Sequence, residues 1–156
     1  ALYMRDVIFV SGFAIGAATI SFNFFMVLGR LVGDKVRDIL GTFNFLITLF
    51  IFSFAGLFIV INFSTLLTSI IGFSVLGLGI SSIVPLAYSI AGKVKEIDSA
   101  VGISIISISG YGVFMIAPAL MGFIANLYGL SKVFLPMILL FIICLILVII
   151  NRRQFI

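Results

Sequence analysis

Polar side chains that can form hydrogen bonds recur within stretches of this sequence that are otherwise apolar. Six of them are uncharged and are candidates for a solute-binding cavity: Thr19, Asn23, Ser81, Ser82, Ser107 and Tyr111. Hydroxyl and amide groups donate and accept hydrogen bonds, so this set favours a neutral solute, either sugar-like or amphipathic and drug-like. Burying an amide or a phenol without a partner costs free energy, so Asn23 and Tyr111 are the stronger candidates for contact with the solute. The alternative is helix packing, because a serine in an apolar helix commonly bonds to backbone.

The elements that carry these side chains are set by long runs without charge. The chain is 63% hydrophobic and 9% charged, with a mean hydropathy of +1.46, whereas soluble domains carry about 25% charged residues. A helix needs about 20 apolar residues to cross a bilayer. The uncharged run 39–92 is long enough for two crossings, with a reversal near Asn62–Ser64. The other runs suit one crossing each: 7–29, 99–131 and 133–151.

This pattern predicts an all-α membrane protein, a polytopic bundle of about five transmembrane helices in a single domain, residues 1–156. Unbroken apolar runs, rather than alternating ones, exclude a β-barrel. The predicted spans are 7–28, 43–61, 65–92, 99–127 and 132–150. The chain begins at Ala1 rather than at methionine, as we expect of a fragment.

The stretch Gly29–Gly41 concentrates charge between two apolar runs. It holds 5 of the 14 charged residues: Arg30, Asp34, Lys35, Arg37 and Asp38. We expect a tight turn at the membrane surface, acting as a hinge or latch, in which Arg30 and Asp34 pair at a spacing of four. The alternative is an ordinary basic loop.

Basic residues lie unevenly on the two sides of the predicted bundle. Seven fall on the side of Gly29–Gly41 and two on the other, the seven being Arg30, Lys35, Arg37, Lys93, Lys95, Arg152 and Arg153. Basic loops stay cytoplasmic. We therefore expect a plasma-membrane protein, in bacteria the inner membrane, with residues 29–41 and the C-terminus in the cytoplasm. The net charge of +4 comes from these flanking residues and does not indicate nucleic-acid binding.

The five predicted helices differ in polarity. The first, third and fourth are rich in Gly, Ser and Thr, which allow close helix packing, so we expect them to face the interior or a cavity. The second and fifth are nearly pure hydrocarbon and should face lipid. At about 1.5 Å per residue, four candidates should lie near mid-membrane: Thr19, Ser81, Ser82 and Tyr111. Glycines with Pro85 and Pro118 allow the third and fourth helices to bend.

Several kinds of chemistry lack the residues they need. No ionisable side chain lies at the centre of a predicted span, so the chain has no proton relay of its own. There is no histidine, so zinc or haem ligation is poorly supported, and we expect no metal and no other cofactor. A lone Cys144 cannot form an internal disulfide. Nothing resembles an acid–base pair, so a membrane enzyme is the least favoured class.

Three motifs resemble the major facilitator superfamily of transporters. Gly29–Gly41 resembles the conserved loop between helices eight and nine of that family. The segment Gly77–Gly92 resembles helix ten, and Gly110–Ala125 resembles helix eleven of bacterial members similar to the fucose-permease branch. Motif order and spacing are kept over nearly the whole chain.

The resemblance implies that the five predicted helices are helices eight to twelve, with Ala1–Asp6 at the outer end of helix seven. The N-terminal six-helix half and most of helix seven would then be absent. In this family helices seven, eight, ten and eleven line the cavity. The residues that match the loop motif, which latches one conformation, are Gly29, Arg30, Gly33, Asp34, Asp38 and Gly41.

The sequence also departs from the family pattern. Ile39 and Thr42 stand where basic residues are usual, which implies a weaker latch. Val113 and Ala119 replace a common glycine and proline, which implies a less kinked helix eleven.

The function implied by the resemblance is transport of a small solute by alternating access between two six-helix halves. Its partners would be the lipid bilayer, the absent N-terminal half and the solute. We expect that these residues alone do not transport. The alternative is a membrane scaffold subunit of a larger complex, which would use the small-residue faces for packing and would need no water-filled cavity.

Overall fold

The structure, a computed structural model, describes residues 2–94 and 97–152 as a bundle of helices, and no strand occurs in that part of the chain. The elements are α1 (Leu2–Asp6), α2 (Ala14–Leu40), α3 (Thr42–Asn62), α4 (Leu66–Ile80), α5 (Ile83–Ala91), α6 (Ser99–Tyr128), a 3-10 turn (Leu130–Val133) and α7 (Phe134–Ile150). Three residues used in the sequence analysis lie outside the described residues: Ala1, Lys95 and Arg153.

The prediction of an all-α membrane fold is confirmed. Five helical segments of the described chain are long and apolar enough to cross a bilayer: Ala14–Leu40, Thr42–Asn62, Leu66–Ala91, Ser99–Tyr128 and Leu130–Ile150. The predicted reversal near Asn62 is also confirmed, because α3 ends at that residue. Thr65 then starts α4, since its side-chain oxygen accepts from the Thr68 N–H at 3.2 Å.

The first long helix is displaced from its predicted place. Residues 7–13 are not helical, and Phe9 and Gly12 have positive φ angles of 59° and 62°. Helix α2 then continues through the whole charged stretch, so the predicted turn over 29–41 is wrong. Only Gly41, at φ 78°, ends the helix, and its N–H bonds the Arg37 carbonyl. Charge shows where a helix leaves lipid, but it does not unwind a segment whose side chains favour helix.

The third predicted helix contains a break. It is divided into α4 and α5, which are separated by Ser81 and Ser82. The cause is Pro85, which has no N–H to donate to the carbonyl four residues earlier and whose ring crowds that carbonyl. The predicted bend is confirmed, whereas α6 runs as one helix with Pro118 inside it.

Small residues bring α2, α3 and α4 together. A methyl group in place of the Gly56 hydrogen on α3 would lie 2.5 Å from Leu76 N on α4, so the two backbones are in direct contact. Gly79 meets Ser53 in the same way further along this antiparallel pair, and Gly77 meets the Phe22 carbonyl of α2. Close approach of this kind needs residues without bulky side chains.

The predicted division into inner and lipid-facing helices holds only in part. Helix α3 and the span Leu66–Ala91, which comprises α4 and α5, each bury 44% of the residues in their apolar stretch. The α2 and α6 spans bury 6% each, and the α7 span buries none. Exposure of α7 and burial of α4 agree with expectation. The prediction that the second helix, α3, faces lipid is wrong. The prediction used the average polarity of α3, whereas one face of the helix carries the small residues Ser53 and Gly56 and packs against α4. Helix α2 packs against α4 along one face only, and α6 buries few residues within the described chain, so the predicted interior position is seen for part of α2 and not for α6.

Candidate functional site

The break between α4 and α5 is contacted by an arginine from α2. Arg30 Nε donates a hydrogen bond to the Ser81 carbonyl at 3.0 Å. Ser81 and Ser82 are 1% and 8% exposed, so the accepting carbonyl lies inside the helix bundle, whereas Arg30 itself is exposed at the edge of the bundle. A charged donor to a buried carbonyl forms one of the stronger hydrogen bonds in proteins.

Two glycines of the charged stretch allow this contact. A methyl group at Gly29 would lie 2.5 Å from Ser81 Oγ, and one at Gly33 would collide with Ser82 Oγ. Arg30 therefore lies between two points where α2 touches the break directly. The matched motif thus has a packing role at Gly29 and Gly33 that its resemblance to a surface loop does not suggest.

The acidic residues of the motif pair with a different arginine than predicted. Arg37 contacts Asp34 at 3.1 Å and Asp38 at 3.3 Å. The predicted pair between Arg30 and Asp34 is wrong, since the Arg30 guanidinium turns inward to the Ser81 carbonyl. Both carboxylates are largely exposed, and ion pairs of this kind stabilise a fold weakly.

A cleft of about 360 Å³ lies beside the break. Its polar lining comes from Arg30, Asp34 and Arg37 on α2 and from Ser82 and Ser89 near and on α5. Asp38 and Gly41 lie farther along, at the end of α2. A latching role for the six motif residues stays a prediction.

A second polar cleft, of about 270 Å³, lies between α5 and α6. Tyr88 Oη and Ser107 Oγ are 3.2 Å apart, and Tyr111 projects beside them with 77% exposure. The Ser107 hydroxyl donates to the Ile103 carbonyl at 2.9 Å, so Tyr88 is the donor between the two hydroxyls. The Tyr88 oxygen keeps lone pairs that can accept from a solute.

Tyr88 was missed in the sequence analysis. A phenol in an apolar helix needs a hydrogen-bond partner, and this holds for Tyr88 as it does for Tyr111. That signal was available without the structure.

Thr19 and Asn23 lie elsewhere on α2. The Asn23 side-chain amide donates to the Thr19 carbonyl of its own helix at 2.8 Å, which satisfies part of its hydrogen-bonding capacity. Thr19 borders a cavity of about 290 Å³ that is otherwise lined mainly by apolar side chains, among them Phe22, Phe73 and Phe134.

The six candidates therefore occupy three places rather than one. Gly29 contacts Ser81, and at about 1.5 Å per residue Thr19 lies about 15 Å from Gly29 along α2. The expectation that Thr19 and Ser81 share a depth is wrong. Tyr111 lies close to the depth of Ser82, because α5 and α6 run antiparallel from the contact at Tyr88. Solute binding by any of the six stays a prediction.

The described residues contain no group of three or more His, Cys, Asp or Glu side chains placed to hold a metal ion. Cys144 lies exposed on α7.

Two relatives are similar to most of this chain. It is 35% identical over 109 residues, 70% of its length, to an uncharacterized MFS-type transporter of Yersinia pestis. It is 29% identical over 116 residues, 74% of its length, to the membrane protein MosC of Rhizobium meliloti. The matched region is 28% of the length of each relative, so the chain spans about a quarter of these proteins. No family model matches the chain, and no solved structure matches it.

Proposed function

We propose that this chain is part of a transporter of the major facilitator superfamily and contributes helices eight to twelve to its C-terminal half. The observation that carries the proposal is the 35% identity to an MFS-type transporter over 70% of the chain. Five apolar helices of spanning length agree with it. The function would be transport of a small solute by alternating access. Similarity to a named transporter favours neither a scaffold subunit nor an enzyme.

The uncovered surfaces support a second half of the same transporter as partner. Helices α2 and α6 bury few residues, only 6% of the apolar stretch of each. On α6, Gly110, Gly112 and Gly122 have no neighbouring atom within 4 Å of where a Cβ would stand. Such positions leave room for another helix to approach closely. The remaining apolar surface, on α7 above all, would contact lipid.

The proposed orientation places the C-terminus in the cytoplasm. Successive long helices alternate in direction, so the ends of α2, α5 and α7 lie on one side of the bundle. That side carries Lys35, Arg37, Lys93 and Arg152 among the described residues. Basic flanks of this kind stay on the cytoplasmic side, which in bacteria is that of the inner membrane.

The proposed solute is small and neutral. The cleft at Tyr88, Ser107 and Tyr111 offers hydroxyl groups and aromatic surface but no charge, which suits a sugar-like or an amphipathic molecule. Resemblance of α6 to the fucose-permease branch favours the sugar-like class.

Cysteine accessibility in the full reading frame tests this proposal. In a Cys144→Ala background, Tyr111→Cys should react with a water-soluble maleimide in intact or inverted membrane vesicles, because the cavity admits water. The matched control is Leu139→Cys on α7, a position that is also exposed in the chain, at 60%. It should stay unreactive because it faces lipid. Protection of both positions would contradict the transporter and favour the scaffold.

A further inference from the structure

We infer that Arg30 is a positioning residue that replaces the backbone donor missing at Pro85. In a continuous helix the N–H of residue 85 would donate to the Ser81 carbonyl, four residues earlier. Proline has no N–H, and the structure has Arg30 Nε at 3.0 Å from this carbonyl. The guanidinium of α2 thus completes a hydrogen bond that the helix itself cannot make.

Burial makes this replacement necessary. Ser81 is only 1% exposed, so water does not readily reach its carbonyl, and a buried carbonyl without a donor is costly. The neighbouring groups are already engaged. Ser81 Oγ donates to the Leu78 carbonyl at 2.7 Å, and the Leu86 N–H donates to the Ser82 carbonyl at 3.0 Å, starting α5.

The contact couples α2 to the direction of α5. Arg30 binds the backbone at the break itself, between the close approaches at Gly29 and Gly33. Helix α5 can turn relative to α4 only if this bond breaks or if α2 moves with it. Because α5 carries Tyr88, which meets Ser107 on α6, Arg30 also positions the α5–α6 cleft. This last consequence for transport depends on the proposed function, whereas the role at the break does not.

Hydrogen exchange in the full-length protein, held in lipid nanodiscs, tests the role at the break. Arg30→Met should speed amide exchange at residues 86–88 by about tenfold, because α5 loses its anchor to α2. Arg30→Lys, which keeps a charged donor, should recover most of the protection. The matched control is Arg37→Met, which removes ion pairs within α2 only and should leave exchange at α5 unchanged. Equal effects of Arg30→Met and Arg37→Met would overturn the inference.

A double-mutant cycle with Pro85 separates this role from a general effect of charge. Pro85→Ala supplies the missing N–H, so Arg30→Met should change exchange by less than about twofold in that background. An undiminished tenfold effect there would show that Arg30 acts through something other than the Ser81 carbonyl. If Arg30→Met alone is not recovered from membranes, normal recovery of the double variant supports the inference, and its loss contradicts it. None of these readouts requires transport, so they stand apart from the test at Tyr111.

Discussion

Serine hydroxyls in this chain have two kinds of surroundings, which imply different roles. Ser53 donates to the Leu49 carbonyl of its own helix and is fully buried, as expected of a packing residue. Ser107 also donates within its helix, but its oxygen meets Tyr88 of another helix beside an open cleft. Residue type and apolar context are alike in the two cases, so only the neighbouring helix distinguishes a packing serine from a candidate binding serine.

Removal of one phenolic oxygen tests the candidate cleft. Tyr88→Phe should raise the KM for uptake by about 3- to 10-fold, because it removes one hydrogen bond to the solute while keeping the ring. The measurement is the concentration dependence of uptake by the full-length protein, for a solute found by screening neutral compounds. Tyr128→Phe, at the exposed far end of α6, is the control and should leave KM unchanged. An unchanged KM in Tyr88→Phe would exclude this hydroxyl from the site.

Among the elements, the three-helix group α2, α3 and α4 forms the packed part of the chain. Its contacts depend on glycine and serine faces, as at Gly56 and Gly79, rather than on large interlocking side chains. In lipid the apolar effect does not drive helices together, so close backbone approach is the main source of association. The break after α4 then turns α5 towards α6 within the same span.

A larger residue at one glycine of the α3–α4 contact should weaken this contact. Gly56→Ala should lower the free energy of unfolding by about 1–3 kcal/mol, because its methyl group would lie 2.5 Å from Leu76 N and the backbones must separate. The intrinsic helix preference of alanine acts in the opposite direction and is smaller, about 1 kcal/mol.

Thermal denaturation in detergent, followed by loss of helical circular dichroism, measures this change. The control is Ala55→Leu, which enlarges the neighbouring side chain on the exposed side of α3 and should change stability little. A Gly56→Ala variant as stable as the control would show that α3 and α4 can separate at this contact without loss of stability.

For the whole molecule, the described helices leave much of their apolar surface without a protein neighbour. Only 6% of the residues in the apolar stretch of the α6 span are buried. The matched region is 28% of the length of each relative. Alternating access needs two halves that move around a shared site, and under the proposed function this chain would form one side of such a site.

Expression of residues 1–156 apart from the rest of the protein tests whether they are only part of a transporter. Residues 1–156 alone, reconstituted in proteoliposomes, should show no uptake above empty vesicles, because one half cannot close a cavity on both sides. Co-expression with the remainder of the reading frame should restore uptake, as measured with the same solute. Uptake by residues 1–156 alone would refute the assignment to half a transporter.

Some features follow from the sequence by simple physical constraints. The number of crossing helices follows from run length, because about 20 apolar residues match the thickness of a bilayer. The reversal after Asn62 and the break near Pro85 follow from local backbone chemistry. The basic residues at 30–37 mark a membrane flank, because placing a charged side chain in the hydrocarbon core costs free energy.

Tertiary structure decided the features that depend on distant partners. The local sequence predicted that the first long helix ends before Gly29, but α2 continues to Leu40. A cluster of charged residues shows where a helix leaves lipid but does not end the helix. The partner of Arg30 is a carbonyl 51 residues away, and no spacing rule within one helix could have preferred it to Asp34. Burial of α3 likewise depends on which of its faces meets α4. Composition reports only the average of its faces, whereas packing depends on one of them.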